Sequence, residues 1–311
     1  MSKLLVVVGA TGQQGGSIID TVLSDPELSR EYTIRGTTRD PNSPSAQTLA
    51  AKGIEVVPAD FNDPFSLQHA FTGAHTVFAT TTTIYDGHTY EHEIAHGRAL
   101  ADAAVAAHVP FYIFSTLPHI KTLSHGTLTH AGHFDAKADV QTYIQTLPLK
   151  SAFIAPGSFM SNFHHSMAPY PVDSDSKTYA LSSFVPPDTQ LPLINTAGDT
   201  GKWVAAMLAD FDKYEGKVLC CASGLYSFTE IVETMSRVSG KTVVYRQLEE
   251  EVWRGFLPGT MVDYIADMMK AMRDFGYFGD GTGEKVDWAV GEARGRVTSL
   301  EEFLRERPLG L

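Results

Sequence analysis

The chain has 311 residues, of which 43% are hydrophobic and 19% charged, enough to bury a sizeable core without metal or disulfide staples. Its 24 Lys and Arg stand against 36 Asp and Glu, and the formal charge of -12 argues against direct nucleic-acid binding through clustered basic residues. The adjacent Cys220 and Cys221 are the only cysteines, which excludes a disulfide framework and points to a reducing, cytoplasmic compartment; no apolar run approaches the ~18 residues of a membrane span.

The opening MSKLLVVVGATG reads as a first strand over residues 4–8. Its apolar run is short and ends in a glycine loop, not a signal-peptide cleavage site. Further strand-like runs lie at 32–39, 54–57, 75–81, 111–116 and 150–156. Helical stretches alternate with them near 13–23, 64–71, 90–107 and 134–145, and the helix-like SAQTLAAKG precedes the third strand. Asp63-Pro64 pairs a capping acid with a proline at the first helical position. Near-continuous apolar strands alternating with helices predict an α/β fold, a Rossmann-type doubly wound parallel sheet over residues 1–156.

After Pro156 the composition shifts. Residues 157–200 are rich in Ser, Pro, Asp and Thr and contain no glutamate. A smaller α+β C-terminal lobe is expected over 157–311, with some segments free to return to the sheet. Strands are expected around 179–185, 193–196 and 217–221, and helices near 202–211 and 261–275. Capping boxes at Ser227–Glu230 and Ser299–Glu302 predict helices over 229–239 and 300–306.

The strongest local signal is Gly9-Ala-Thr-Gly12-Gln-Gln-Gly15-Gly16, between the first strand and the first helix. Gly9 permits the tight turn, Gly12 lets a pyrophosphate approach, and Gly15 lets helix and sheet pack closely. The helix N-terminus supplies amide donors for phosphate. The second strand ends Thr37-Thr38-Arg39-Asp40. Arg39 suits the 2′-phosphate of NADP(H), whereas Asp40 turned inward would suit NAD. Arg35 and Lys52 are expected to add positive potential there. Asp60 and Phe61 follow the third strand, where a carboxylate and a ring can meet adenine, or simply form a turn. Thr80 to Thr83 end the fourth strand and reach toward ribose or nicotinamide.

The GxxGxxG loop resembles that of extended and atypical short-chain dehydrogenases, which use a Tyr-xxx-Lys pair in which the tyrosine donates a proton. None of the 12 tyrosines here has a lysine four residues later. The counterpart is His133-Phe-Asp-Ala-Lys137, whose spacing puts both residues on one helix face. His133 and Lys137 are therefore the candidate catalytic residues. A nearby ammonium would lower the His133 pKa and weaken it as an acid.

GATGQQGGS, TTRDP, EIAHGRALADAA, YIFSTLP, HFDAKADVQTYI and APGSFMSNF occur in this order, followed by EEVWRGFLPG and DFGYFG. Together they resemble the NmrA-like family of atypical short-chain dehydrogenases, over most of the chain. The resemblance implies an NADP(H) site formed by Gly9, Thr11, Gly12, Gln13, Gln14, Gly15, Arg39 and Lys137. Pro156, Gly157, Phe159 and Asn162 would line its nicotinamide end. It implies first a redox sensor acting through a protein partner such as a transcription factor, cytoplasmic or also nuclear. The alternative is an NADPH-dependent reductase of a quinone, enone or natural-product intermediate. The exchange of Tyr for His favours the sensor.

His92-Glu93-Ile-Ala-His96 is a literal HExxH, a zinc pattern when a third ligand follows. The extended form needs Gly and His where Ala99 and Asp102 stand, and the next glutamate is distant Glu215. No metal site is expected from it. His119, His125, His130, His164 and His165 fall in loop-like stretches and are expected to line the cleft or the surface.

Overall fold

β1 (Lys3–Val7) shows how the sheet is buried on both sides. Side chains alternate across a strand. Leu5 and Val7 enter one apolar cluster with Ile18 and Trp203, while Val6 enters another with Leu67, Leu100 and Phe153. A computed structural model describes residues 2–172 and 177–311. Its first half adds β2 (Tyr32–Thr38), β3 (Glu55–Pro58), β4 (Thr76–Ala79), β5 (Phe111–Ser115) and β6 (Lys150–Pro156). Each predicted strand of this half is present, with ends shifted by at most two residues. The predicted helices appear as Gln13–Ser24, Pro44–Ala51, Pro64–Phe71, Thr89–Ala106 and Gly132–Ile144.

The second half contributes β7 (Ser158–Phe159), β8 (Tyr170–Pro171), β9 (Thr178–Ser183), β10 (Gln190–Ile194), β11 (Val218–Cys221), β12 (Gly224–Ser227) and β13 (Thr242–Gln247). The main sheet has the order β11-β6-β5-β4-β1-β2-β3, with every pairing parallel. This is the doubly wound Rossmann arrangement. The order reverses between β1 and β4, and the crevice beyond their carboxyl ends is where such folds hold ligands. Helices Gln13–Ser24 and Thr196–Ala209 cover one face, and Thr89–Ala106 and Gly132–Ile144 cover the other.

β11 lies beside β6, so the chain leaves the sheet after Pro156, builds part of the lobe and returns. The helix Thr196–Ala209 is the crossover that brings it back. It begins six residues before the expected 202. Two small antiparallel-containing sheets, β12-β10-β7 and β13-β9-β8, form the lobe with helices Phe228–Ser239, Val262–Phe275, Thr282–Glu292 and Leu300–Glu306. The helices Glu250–Arg254 and Thr282–Glu292 and strands β7, β8, β12 and β13 were not expected. Cys220 and Cys221 are free, buried residues of β11. No helix among the described residues is long and apolar enough to cross a membrane.

Candidate functional site

The glycine loop stands at the reversal point of the sheet. Gly9 has φ +69°, a left-handed turn that a side chain would strain. A Cβ on Gly15 would stand 2.3 Å from the Gly9 carbonyl oxygen, so this position closes the loop against the helix. The Gly12 amide donates to that same oxygen (2.9 Å). Gly12 caps the helix Gln13–Ser24 with no side-chain cap, and no acid lies in its first turn. The leading amides are therefore left for an anion. Thr11, Gly12 and Gln13 are exposed beside them. Gln14 lines a cavity, and its Oε1 is buried without a hydrogen-bond partner among the described residues. An unsatisfied buried acceptor is costly and marks a place for a ligand donor.

Arg39 follows β2, exposed, with no hydrogen bond or ion pair among the described residues. Its neighbours are committed elsewhere. Asp40 Oδ1 accepts from the Asn42 amide (2.9 Å), which holds that carboxylate in its own turn. Arg35 and Lys52 do not supply the free positive potential expected of them. Arg35 pairs with Glu55 (2.8 Å) and donates to the Ala70 and Thr72 carbonyls, and Lys52 pairs with Asp20. Asp60 Oδ1 accepts from the Asn62 amide (2.9 Å), the turn alternative of its sequence reading. Phe61 packs against the His96 ring, with centroids 5.3 Å apart.

At the inner end, Lys137 Nζ donates to Glu93 Oε2 (2.6 Å) and to Thr81 Oγ1 (2.5 Å). Thr81 also donates to Glu93, and Thr83 Oγ1 donates to Glu93 Oε1 (2.6 Å). Glu93 is fully buried. Burial opposes its ionisation, but Lys137 and the two threonines override burial and hold the carboxyl below its usual range. Glu93 is thus the partner of Lys137, not the base of a metal site. His92 instead contacts Asp86 (3.0 Å), its ring stacks on His96, and no metal-binding cluster occurs among the described residues. The acid of the HExxH pattern was visible in the sequence, but its role required knowing which helix lies alongside.

His133 lies one turn before Lys137 and is only 5% exposed. Its Nδ1 is buried with no partner among the described residues. Burial, reinforced by the Lys137 charge, pushes its pKa down to about 4. The imidazole is neutral at pH 7 and a poor proton donor. The rings of Tyr85, Tyr264 and Phe134 pack edge-on around it.

These groups open into a cavity of about 810 Å³. Gln14, Thr80, His133, Lys137, Pro156, Gly157, Phe159 and Asn162 all line it, so the structure brings the expected inner-end residues together. Gly157 is needed there because a Cβ would stand 2.4 Å from the Pro192 carbonyl oxygen. The far wall is apolar and comes from the lobe, with Trp253, Phe256, Met261, Met268, Met269 and Met272. Tyr85 and this methionine cluster were not singled out from the sequence. Neither carries a motif, and both come from segments remote from the glycine loop.

A Rossmann-type fold with a phosphate-ready helix, a free arginine and a buried lysine defines a dinucleotide-binding class of protein. A sequence model of the NmrA-like family matches residues 1–304, and the chain belongs to that family. The NmrA-like family domain-containing oxidoreductase ptmS of Penicillium ochrochloron is 28% identical over 270 residues, 82% of this chain and 78% of the relative. Among solved structures, the negative transcriptional regulator NmrA in complex with NADP has a TM-score of 0.81 at 23% identity, covering 98% of this chain and 95% of that one. The NADPH-dependent quinone oxidoreductase QOR2 of Escherichia coli, complexed with NADPH, has a TM-score of 0.76 at 23% identity, covering 97% and 99%.

Proposed function

We propose that this protein is an NADP(H)-dependent reductase of a large, uncharged, mainly apolar acceptor. The observation that carries this reading is the cavity, which runs from Lys137 and Thr80 into the methionine-rich lobe. Its volume suits a small-molecule site, and thioether side chains adapt to varied apolar shapes. Among the described residues lining it, Lys137 is the sole formal charge and is already paired with Glu93. The dinucleotide's phosphates would meet the free amides after Gly12, and its 2′-phosphate would meet Arg39. A donor from its amide would satisfy Gln14 Oε1. When bound, the nicotinamide supplies hydride; Lys137, Asn162 and Gly157 orient that end. Relatives named as oxidoreductases and a quinone oxidoreductase of the same fold support the reading.

The test is NADPH consumption with a panel of quinones and enones. Turnover abolished in Lys137→Ala is expected. No consumption with any acceptor, alongside tight NADPH binding, would remove the reductase.

A second reading keeps the sensor, acting through a protein partner in cytoplasm or nucleus. It is favoured by the segment after β13. There Phe256 lines the cavity yet is 67% exposed, and Val252 nearby is 54% exposed. A ligand inside the cavity therefore touches a surface that a partner can read. Equal affinities for NADPH and NADP+ by calorimetric titration would remove this reading.

A further inference from the structure

We propose, on the reductase reading, that Tyr85 donates the proton that the missing tyrosine of the Tyr-xxx-Lys pair would have donated. Three tyrosines besides it are near the cavity, and each is otherwise engaged or displaced. Tyr277 donates to the Pro156 carbonyl (3.3 Å), and Tyr170 shares a hydrogen bond with Ser182 (2.7 Å). Tyr264 packs on Tyr85 and His133 but is not part of the cavity wall. Tyr85 is in the wall, half-buried, and its hydroxyl has no hydrogen-bond partner among the described residues.

The loop that carries Tyr85 is held in place from the site itself. Thr81 and Thr83, just upstream, both donate to Glu93, the acid that holds Lys137. Thr89 Oγ1 donates to the Ile84 carbonyl (2.6 Å), and Asp86 closes a turn on the His88 amide (2.9 Å). The Tyr85 ring leans on His133 and Tyr264 with centroids 5.7 and 5.6 Å away. One carboxylate thus holds the lysine and the start of the loop that carries Tyr85, though they arise from different elements.

The competing donors are weaker. Neutral His133 has no acidic proton to offer at pH 7, and its Nδ1 is buried. Ser115 lines the wall, but an alkyl hydroxyl is a far weaker acid than a phenol. Burial, with Glu93 adding to it, pushes Tyr85 up to about 12, so its proton is present throughout the physiological range. In an enone acceptor, hydride forms the new C–H bond and the π-electron pair moves onto oxygen. The Tyr85 O–H bond breaks as the proton joins that oxygen. Water at the cavity mouth then returns a proton to the phenolate, and NADPH is left as NADP+.

The probe is 4-dimethylaminocinnamaldehyde, whose visible band moves to longer wavelength when its carbonyl is hydrogen-bonded. It is titrated into the full chain saturated with NADP+, which cannot reduce it. The wild type should bind the probe with a red shift. Tyr85→Phe, which keeps the ring contacts, should bind within about threefold but lose most of the shift. In turnover with NADPH and an enone, kcat should fall about 100-fold or more with little change in KM. An unchanged shift in Tyr85→Phe, a shift lost only in Ser115→Ala, or no probe binding to the wild type would overturn the proposal. Turnover undiminished in Tyr85→Phe would keep the reductase and overturn the Tyr85 assignment. Absence of turnover with a Tyr85-dependent shift would remove the reductase and the proton transfer together, leaving a carbonyl-binding phenol.

Discussion

Arg39 owes its suitability for a 2′-phosphate to what its neighbours do. Arg35, Asp40 and Lys52 are all spent on local partners, which leaves one free guanidinium at the end of β2. Arg39→Glu should therefore weaken NADP(H) by about 10- to 100-fold, the worth of a charge-assisted contact, with little effect on NAD(H). Calorimetric titration with both dinucleotides reads the difference, and equal losses would show that Arg39 does not meet the phosphate. His133 gives a pH prediction. Its pKa falls from 6.5 to about 4 on folding. Between those values the unfolded chain binds a proton that the folded chain refuses, so stability declines as pH drops from about 6.5 toward 4. The loss should reach roughly 3 kcal/mol, at ~1.4 kcal/mol per pH unit. Denaturant midpoints at pH 7 and pH 5 should differ less in His133→Leu than in the wild type; an identical difference would refute this. Glu93 acts lower on the scale. Its carboxyl is held below the ordinary value, so its contribution is complete above about 4.3 and fades below that. That His133 and Lys137 share a helix face and a cavity wall was legible because their spacing is local. Glu93 and Tyr85 were not, since their roles depend on which segments the fold sets side by side.

Elements with local punctuation were the readable ones. Both expected capping boxes are present, with Ser227 and Ser299 each bonded reciprocally to the third residue on. Asp63 caps the helix Pro64–Phe71 through the Phe65 amide (3.0 Å). The early start of the helix at Thr196 was hidden by its Thr-Ala-Gly-Asp-Thr-Gly sequence, which has poor helix propensity. Tertiary packing overrides that. A Cβ on Gly201 would stand 2.3 Å from the Ser17 carbonyl oxygen, so glycine there lets two helices meet. Asp199, buried in the first turn, also binds Lys202 and the Thr298 amide, which fastens the C-terminal segment to this helix. The helix Thr282–Glu292 went unread for a similar reason, because it begins after the left-handed Gly281 with no side-chain cap. Another close crossing lies under the candidate site. A Cβ on Gly97 would stand 2.5 Å from Val140 Cγ2, where the helices bearing Glu93 and Lys137 pack together. Gly97→Ala should force them apart and disturb the ion pair. Overpacking of this kind costs about 1–3 kcal/mol. Thermal unfolding should show that loss, and Gly97→Ala with Val140→Ala should recover much of it. No recovery in the double variant would show that Gly97 is not held by this contact.

At the scale of the molecule, the sheet and the lobe share one cavity while keeping separate cores. Phe228, Met235 and Phe303 belong to the lobe's cluster, and the sheet's two faces have their own. The surplus of acidic residues leaves attraction of an anionic cofactor to local groups. The amides after Gly12 and Arg39 lie at the crevice, while the apolar wall of the cavity lies in the lobe. Dinucleotide and acceptor should therefore respond to different substitutions. Met268 stands in the apolar wall, remote in sequence from the glycine loop. Met268→Asp would place a carboxylate where the proposed uncharged acceptor would displace water, and burying that charge is costly. Acceptor affinity should fall at least about tenfold, while NADPH affinity stays within about twofold. Thermal stability reports both ligands through the same linkage. A ligand at 100 times its Kd stabilises by ~2.7 kcal/mol. In the wild type NADPH should raise the Tm, and an apolar quinone should raise it further. In Met268→Asp the first rise should persist and the second should vanish. Loss of both rises would place Met268 in the dinucleotide site, and retention of both would place the acceptor outside this cavity.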